Sequence, residues 1–64
     1  MKNRIHVLRA ERRWSQAALG ERVDVSRQAI NALETGKHDP SLSLAFKIAE
    51  VFEMRIEEVF DPKG

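Results

Sequence analysis

The chain has no cysteine, no tyrosine, three glycines and two prolines among its 64 residues. Without cysteine, neither a disulfide nor a zinc–thiolate centre can staple it. No run approaches the roughly 18 apolar residues of a membrane span. No signal-peptide pattern opens the chain. The expectation is a soluble cytoplasmic domain. β-branched residues do not cluster in alternating runs, so no strand is expected, and no internal repeat is present. Charge of one sign is also lacking. Eleven Lys and Arg against ten Asp and Glu give a net charge of only +1, which on its face argues against a nucleic-acid partner.

What is present is a globular composition, 42% hydrophobic and 33% charged, rather than the low hydrophobicity and high net charge of disorder. The length allows one domain, residues 1–64. A chain this short buries only about 60% of its unfolded surface. Its core must come from packing alone, or from packing plus a partner subunit. A large enzyme cleft does not fit.

The punctuation divides the chain into five short helices. The first runs from about Asn3, a possible cap, to Arg12, with Ile5 and Leu8 inward and Arg4, Glu11 and Arg12 in solvent. Ser15 is placed to cap Gln16–Val23, and Ser26 to cap Arg27–Thr35, with Gly36 as its left-handed stop. Ser41 is placed to cap a fourth helix, Leu42 to about Phe52, apolar around much of its circumference. A last helix runs from Ile56 to Phe60, and Pro62 ends it. The expected core is Ile5, Leu8, Trp14, Leu19, Val23, Val25, Ile30, Leu33, Leu44, Ile48, Ala49, Phe52, Ile56 and Val59.

Residues 15–36 are the informative stretch. Two short helices are separated only by Asp24, Val25 and Ser26, which sets them at a steep angle, as in a helix-turn-helix. On a helical wheel Ser26, Ala29, Ile30 and Leu33 fall on one side of the second helix of the pair. Arg27, Gln28, Asn31, Ala32 and Thr35 fall on the opposite arc. That arc is rich in flat hydrogen-bonding side chains. Arg can grip the two acceptors of guanine, and Gln or Asn can pair with the adenine edge, each good bidentate contact discriminating by about 1–3 kcal/mol.

The run from Ser15 to Gly36 resembles the lambda repressor/Cro-like (XRE) helix-turn-helix family. The likeness extends over nearly the whole chain, from Asn3-Arg4-Ile5 and Leu8-Arg9 through Asp39-Pro40-Ser41-Leu42 and Lys47-Ile48-Ala49 to Ile56–Phe60. It implies a compact five-helix all-α DNA-binding domain of the short, free-standing type. It also implies that the third helix lies in the major groove, with Arg27, Gln28, Asn31 and Ala32 facing the bases, Ala32 by methyl contact alone. Gln16, Ser26, Thr35 and Lys37 would touch phosphates. Arg9 and Glu34 match positions that form an ion pair tying the first helix to the third.

Four positions depart from the family pattern. Asp24, Arg13 and Glu53 stand where glycine is frequent, so each carries strain if its backbone is left-handed. Gly20 reverses the substitution, standing where the family usually has alanine, and glycine costs about 1 kcal/mol in a helix.

No catalytic or metal constellation stands out. His6 and His38 are isolated, Glu57 and Glu58 are adjacent and diverge on a helix, and Ser15 and Ser26 read as caps. Trp14 fits a packing role between the first two helices better than a stacking platform. No enzyme activity, cofactor or small-molecule ligand is expected.

The expected function is sequence-specific binding of double-stranded DNA by a transcriptional regulator, a repressor acting as a homodimer on a palindromic operator. The alternative is an antitoxin or a protein-interaction module on the same fold. Surplus apolar residues in 41–61 suggest the dimer end, with Phe46, Val51, Val59 and Phe60 as the interface. The charge objection dissolves on splitting the chain. Residues 1–37 carry eight basic against four acidic side chains, a net +4. Residues 38–64 carry three against six, a net −3. Such polarity draws DNA to one end and repels it from the other.

Overall fold

Three serines start three of the helices. The hydroxyl oxygens of Ser15, Ser26 and Ser41 accept from the amides of Ala18, Ala29 and Leu44 at 3.0, 3.1 and 3.1 Å, each satisfying an amide that the helix itself leaves without a partner. In the computed structural model, which describes residues 1–63, the elements run β1 (Lys2–Asn3), α1 (Ile5–Glu11), α2 (Gln16–Val23), α3 (Arg27–Glu34), α4 (Leu42–Val51), α5 (Ile56–Val59) and β2 (Phe60–Asp61).

The first four helices end in one way. A residue with positive φ follows each of them: Arg13 at 58°, Asp24 at 61°, Gly36 at 78° and Glu53 at 57°. The next amide then bonds back five residues, Trp14 to Arg9, Val25 to Gly20, Lys37 to Ala32 and Met54 to Ala49, at 2.9–3.0 Å. This is the Schellman stop, which absorbs carbonyls that the last turn cannot satisfy. Only one of the four stops uses glycine. The strain anticipated at Arg13, Asp24 and Glu53 is therefore present.

Two expectations about the chain ends change. Asn3 is not itself the residue before α1, which is Arg4, but its side-chain oxygen does take up the amide of Ile5, the first residue of the helix, at 3.1 Å. Asn3 lies in β1, and its Nδ2 donates to the Leu33 carbonyl at 2.8 Å. Strands do form: Lys2 pairs with Asp61 and Asn3 with Phe60, antiparallel. The Arg4 amide continues the ladder to the Val59 carbonyl at 2.9 Å.

The core holds Ile5, Leu8, Leu19, Val23, Ile30, Leu33, Ala45, Ile48, Ala49, Phe52, Val59 and Phe60. Trp14, Val25, Leu44 and Ile56 pack at its edge rather than inside it. Val59 and Phe60, expected at a dimer face, are only 1% and 5% exposed. The β1–β2 pairing folds the chain end inward, so these two side chains complete the chain's own core. Arg12, expected in solvent, is half-buried. Its guanidinium lies 4.9 Å from the Phe52 ring centre and donates to the Phe52 carbonyl at 2.9 Å. Trp14 stacks on the same ring at 5.7 Å, with the Arg22 guanidinium over the Trp14 ring at 4.2 Å.

Candidate nucleic-acid interface

The bihelical unit is set by a backbone contact. The turn after α2 passes so close to Gly20 that a Cβ there would stand 2.5 Å from the Val25 carbonyl oxygen. The half-buried Val25 side chain packs against the core, and Ser26 then starts α3. Through Ile30 and Leu33, 0% and 5% exposed, α3 is seated on the core along one side. Its other side faces solvent, where Arg27, Gln28 and Asn31 are exposed together and Ala32 is half-buried beside them.

The residues expected to meet phosphates lie around that helix. Ser26 is exposed at its start, and its hydroxyl oxygen already serves as the α3 cap. Lys37 is exposed just beyond Gly36. Thr35 is exposed too, but its hydroxyl donates to the Asn31 carbonyl at 2.9 Å, so a phosphate contact through Thr35 requires that bond to open. Gln16, the first residue of α2, is half-buried.

Behind Gln16 sits a charged cluster joining three helices. Arg9 of α1 meets Glu34 of α3 side-on, Nε to Oε2 at 2.7 Å and Nη2 to Oε1 at 3.1 Å. A third Arg9 nitrogen donates to the Trp14 carbonyl at 2.8 Å. The two side chains are 12% and 7% exposed. Gln16 Nε2 donates to the same Glu34 Oε1 at 3.2 Å. His6 Nδ1 lies 3.2 Å from Arg9 Nη2 and 3.7 Å from Glu34 Oε1. Burial pushes the Glu34 carboxyl up, but hydrogen bonds from Arg9 and Gln16, with the charges of Arg9 and His6, outweigh it and hold the group below the ordinary carboxylate range. The hydrogen bond to Glu34 correspondingly raises Arg9.

The sequence missed the Gln16–Glu34 bond, because no periodicity links residues eighteen apart. It also missed Leu42. Leu42 and Phe46 are 70% and 55% exposed, one helical turn apart on α4, while Ala45, Ile48 and Ala49 of the same helix are buried. Their offset from that stripe was the available signal. Val51 is half-buried. Beside Leu42 runs an apolar groove of about 340 Å³, lined by Met1, Pro40, Ala45, Ile56 and Phe60 among others.

Among the described residues no three His, Asp or Glu side chains gather as a metal site would require. Among the same residues no helix is long and apolar enough to cross a membrane.

Comparison with known proteins gives one answer. The helix-turn-helix family model matches residues 5–59. An uncharacterized HTH-type transcriptional regulator of Methanocaldococcus jannaschii is 50% identical over 60 residues, covering 94% of this chain and 91% of the relative. One of Bacillus subtilis is likewise 50% identical over 60 residues, with the same coverage of both chains. Among solved structures, the P22 c2 repressor in complex with a synthetic operator superimposes with a TM-score of 0.81 at 28% identity, covering 84% of this chain and 82% of that one.

Proposed function

Since the chain belongs to the XRE-type helix-turn-helix family of transcriptional regulators, we propose that it is a repressor that binds a palindromic DNA operator as a homodimer. The observation that carries this reading is the exposed arc of Arg27, Gln28 and Asn31 on a helix whose opposite side is locked by Ile30 and Leu33. A reading face must be rigid to discriminate bases, and burial of the far side supplies that rigidity. In this reading α3 enters the major groove, Arg27, Gln28 and Asn31 meet base edges, and Ala32 offers a methyl contact. Gln16, Ser26 and Lys37 grip phosphates on either side. The fold likeness to a repressor crystallised with operator DNA supports the same geometry.

One copy of α3 spans only a few base pairs. Two copies related by a two-fold axis read half-sites about one helical turn, roughly 34 Å, apart. The dimer face consists of Leu42 and Phe46 with the groove beside them, in the acidic half of the sequence. Phe46 is thus retained from the sequence-based interface and Leu42 joins it, Phe60 meets it only as a wall of the groove, and Val51 and Val59 belong to the packing of this chain's own core. Residues 15–36 form the reading unit and 41–61 carry the dimer end. Repression then needs only occupancy of a site that overlaps a promoter.

Selection of bound duplexes from a random DNA pool tests this directly. Recovery of an inverted repeat with half-site centres one turn apart is the expected result. A single half-site would remove the dimer from the proposal, and no enrichment would remove DNA binding.

A further inference from the structure

We propose that Glu34 is a positioning residue for DNA binding. Its carboxylate holds the Gln16 amide ready for a phosphate, and so fixes the spacing between the phosphate grip on α2 and the reading face of α3. The proposal rests on the DNA-binding reading given above and deepens it.

The chemistry of the bond sets the orientation of Gln16. An ionised carboxylate only accepts hydrogen bonds, so the amide must turn its NH2 group, not its oxygen, toward Glu34 Oε1, 3.2 Å away. That NH2 carries two protons, and the bond uses one. Among the described residues no other hydrogen bond engages the Gln16 side chain. The second proton is therefore available from a nitrogen held in place. A backbone phosphate also only accepts, so an N–H is what it requires. A glutamine with its oxygen turned outward would repel it.

Charge would forbid this arrangement if Glu34 stood alone, because a bare carboxylate repels a phosphate. Arg9 removes the objection by engaging both oxygens of Glu34, at 2.7 and 3.1 Å, with both side chains largely withdrawn from water. An ion pair serving only to tie α1 to α3 has no need of a third donor, and the Gln16 bond is what that simpler role leaves unexplained. Glu34 is also the last residue of α3, three positions after Asn31. With its carboxylate held by Arg9, the bond from Gln16 to Glu34 ties the reading helix to the phosphate grip.

A double-mutant comparison tests the idea, using as probes the duplex recovered by selection and a shuffled duplex of the same length. The reference is the full chain. The comparison background is Arg9→Met with Glu34→Leu, which removes both members of the pair and leaves no orphan charge. In the reference chain Gln16→Ala should weaken binding to both probes about five- to tenfold, a hydrogen bond's worth. In the background the same substitution should change affinity less than about twofold, because Gln16 is already unheld there. A merely structural ion pair would lower affinity overall but leave the two Gln16 effects equal, and that equality would overturn the proposal.

A second measurement needs no variant. Side-chain 15N relaxation of the free protein should show the Gln16 amide ordered while the amide of exposed Gln28 moves freely. Equal mobility of the two would also overturn the proposal. Failure of the underlying reading looks different: the reference chain binds neither probe, and the positioning role falls with it.

Discussion

Gly20 and Val25 clasp each other through their backbones. The Val25 amide donates to the Gly20 carbonyl at 2.9 Å, and the Val25 oxygen lies only 2.5 Å from the position that a Cβ on Gly20 would take. Family resemblance implies alanine at this position, and helix propensity also favours it. The geometry gives the opposite answer for this chain, because the obstacle is a carbonyl in the turn that aims α3.

Gly20→Ala is therefore expected to destabilise the domain. The substitution gains about 1 kcal/mol of helix propensity. Forcing a methyl group into a packed backbone contact costs about 1–3 kcal/mol, and the backbone here has little freedom to yield. The net should be a fall in melting temperature of several degrees, at about 4–8 °C per kcal/mol for a domain of this size. Circular dichroism melts check the sign. A raised melting temperature would mean that the turn opens without cost.

Arg13→Gly and Glu53→Gly should do the reverse. Both residues sit at positive φ, where an L side chain costs about 1–2 kcal/mol. Glycine returns part of this as unfolded-state entropy, about 0.5–1 kcal/mol. The expected gain is about 0.5–1 kcal/mol at each site, read as a higher urea midpoint with an unchanged slope. Asp24→Gly should gain least, since aspartate tolerates the left-handed region better than most residues. The ranking is the test, and Asp24→Gly giving the largest gain would contradict it.

These stops show what the sequence makes legible. A Ser before each of three helices and a glycine after α3 are local chemistry, so the starts of α2, α3 and α4 could be read directly. Arg13, Asp24 and Glu53 were identifiable as stops only through family resemblance, because nothing in an arginine or a glutamate announces positive φ. The strands escaped for another reason. Two residues cannot show alternation, and Lys2 finds Asp61 from the far end of the chain. That same pairing decides the fate of Val59 and Phe60. An apolar surplus can be counted in the sequence, but whether it fills this core or meets another subunit depends on where the chain end folds. The outer arc of α3 was legible because a helix seated by Ile30 and Leu33 leaves its opposite side in water. The short turn gives α2 and α3 a steep crossing, but the Gln16–Glu34 bond depends on which side chains that crossing brings together, and a spacing does not encode that.

Acid should weaken the cluster that joins the helices. The Glu34 carboxyl is held below the ordinary range in the folded protein, so its contribution to stability is complete above the unfolded-state value, about 4.3. That contribution is lost as pH falls through the folded value. Urea midpoints should therefore drop below about pH 4 in the parent chain, and less steeply in the Arg9→Met, Glu34→Leu variant. At neutral pH Arg9→Met alone should lower stability more than the double variant does, because it leaves the largely covered Glu34 carboxylate without its cation. A single variant no less stable than the double would show that the pair is solvated in practice.

Arg27 and Lys37 should fail in different ways. Both are exposed cations at the reading head, but Arg27 faces base edges in the proposed complex and Lys37 faces the backbone. Arg27→Ala should lose about 1–3 kcal/mol on the selected operator and much less on a shuffled duplex, relaxing preference at one base pair. Lys37→Ala should weaken both duplexes alike and reduce the slope of log K against log salt by about 1. Gel-shift titrations of each variant on both duplexes, at several salt concentrations, separate the two patterns. If Arg27→Ala left the operator preference intact, the base-contact assignment would be wrong even with the fold and the family unchanged.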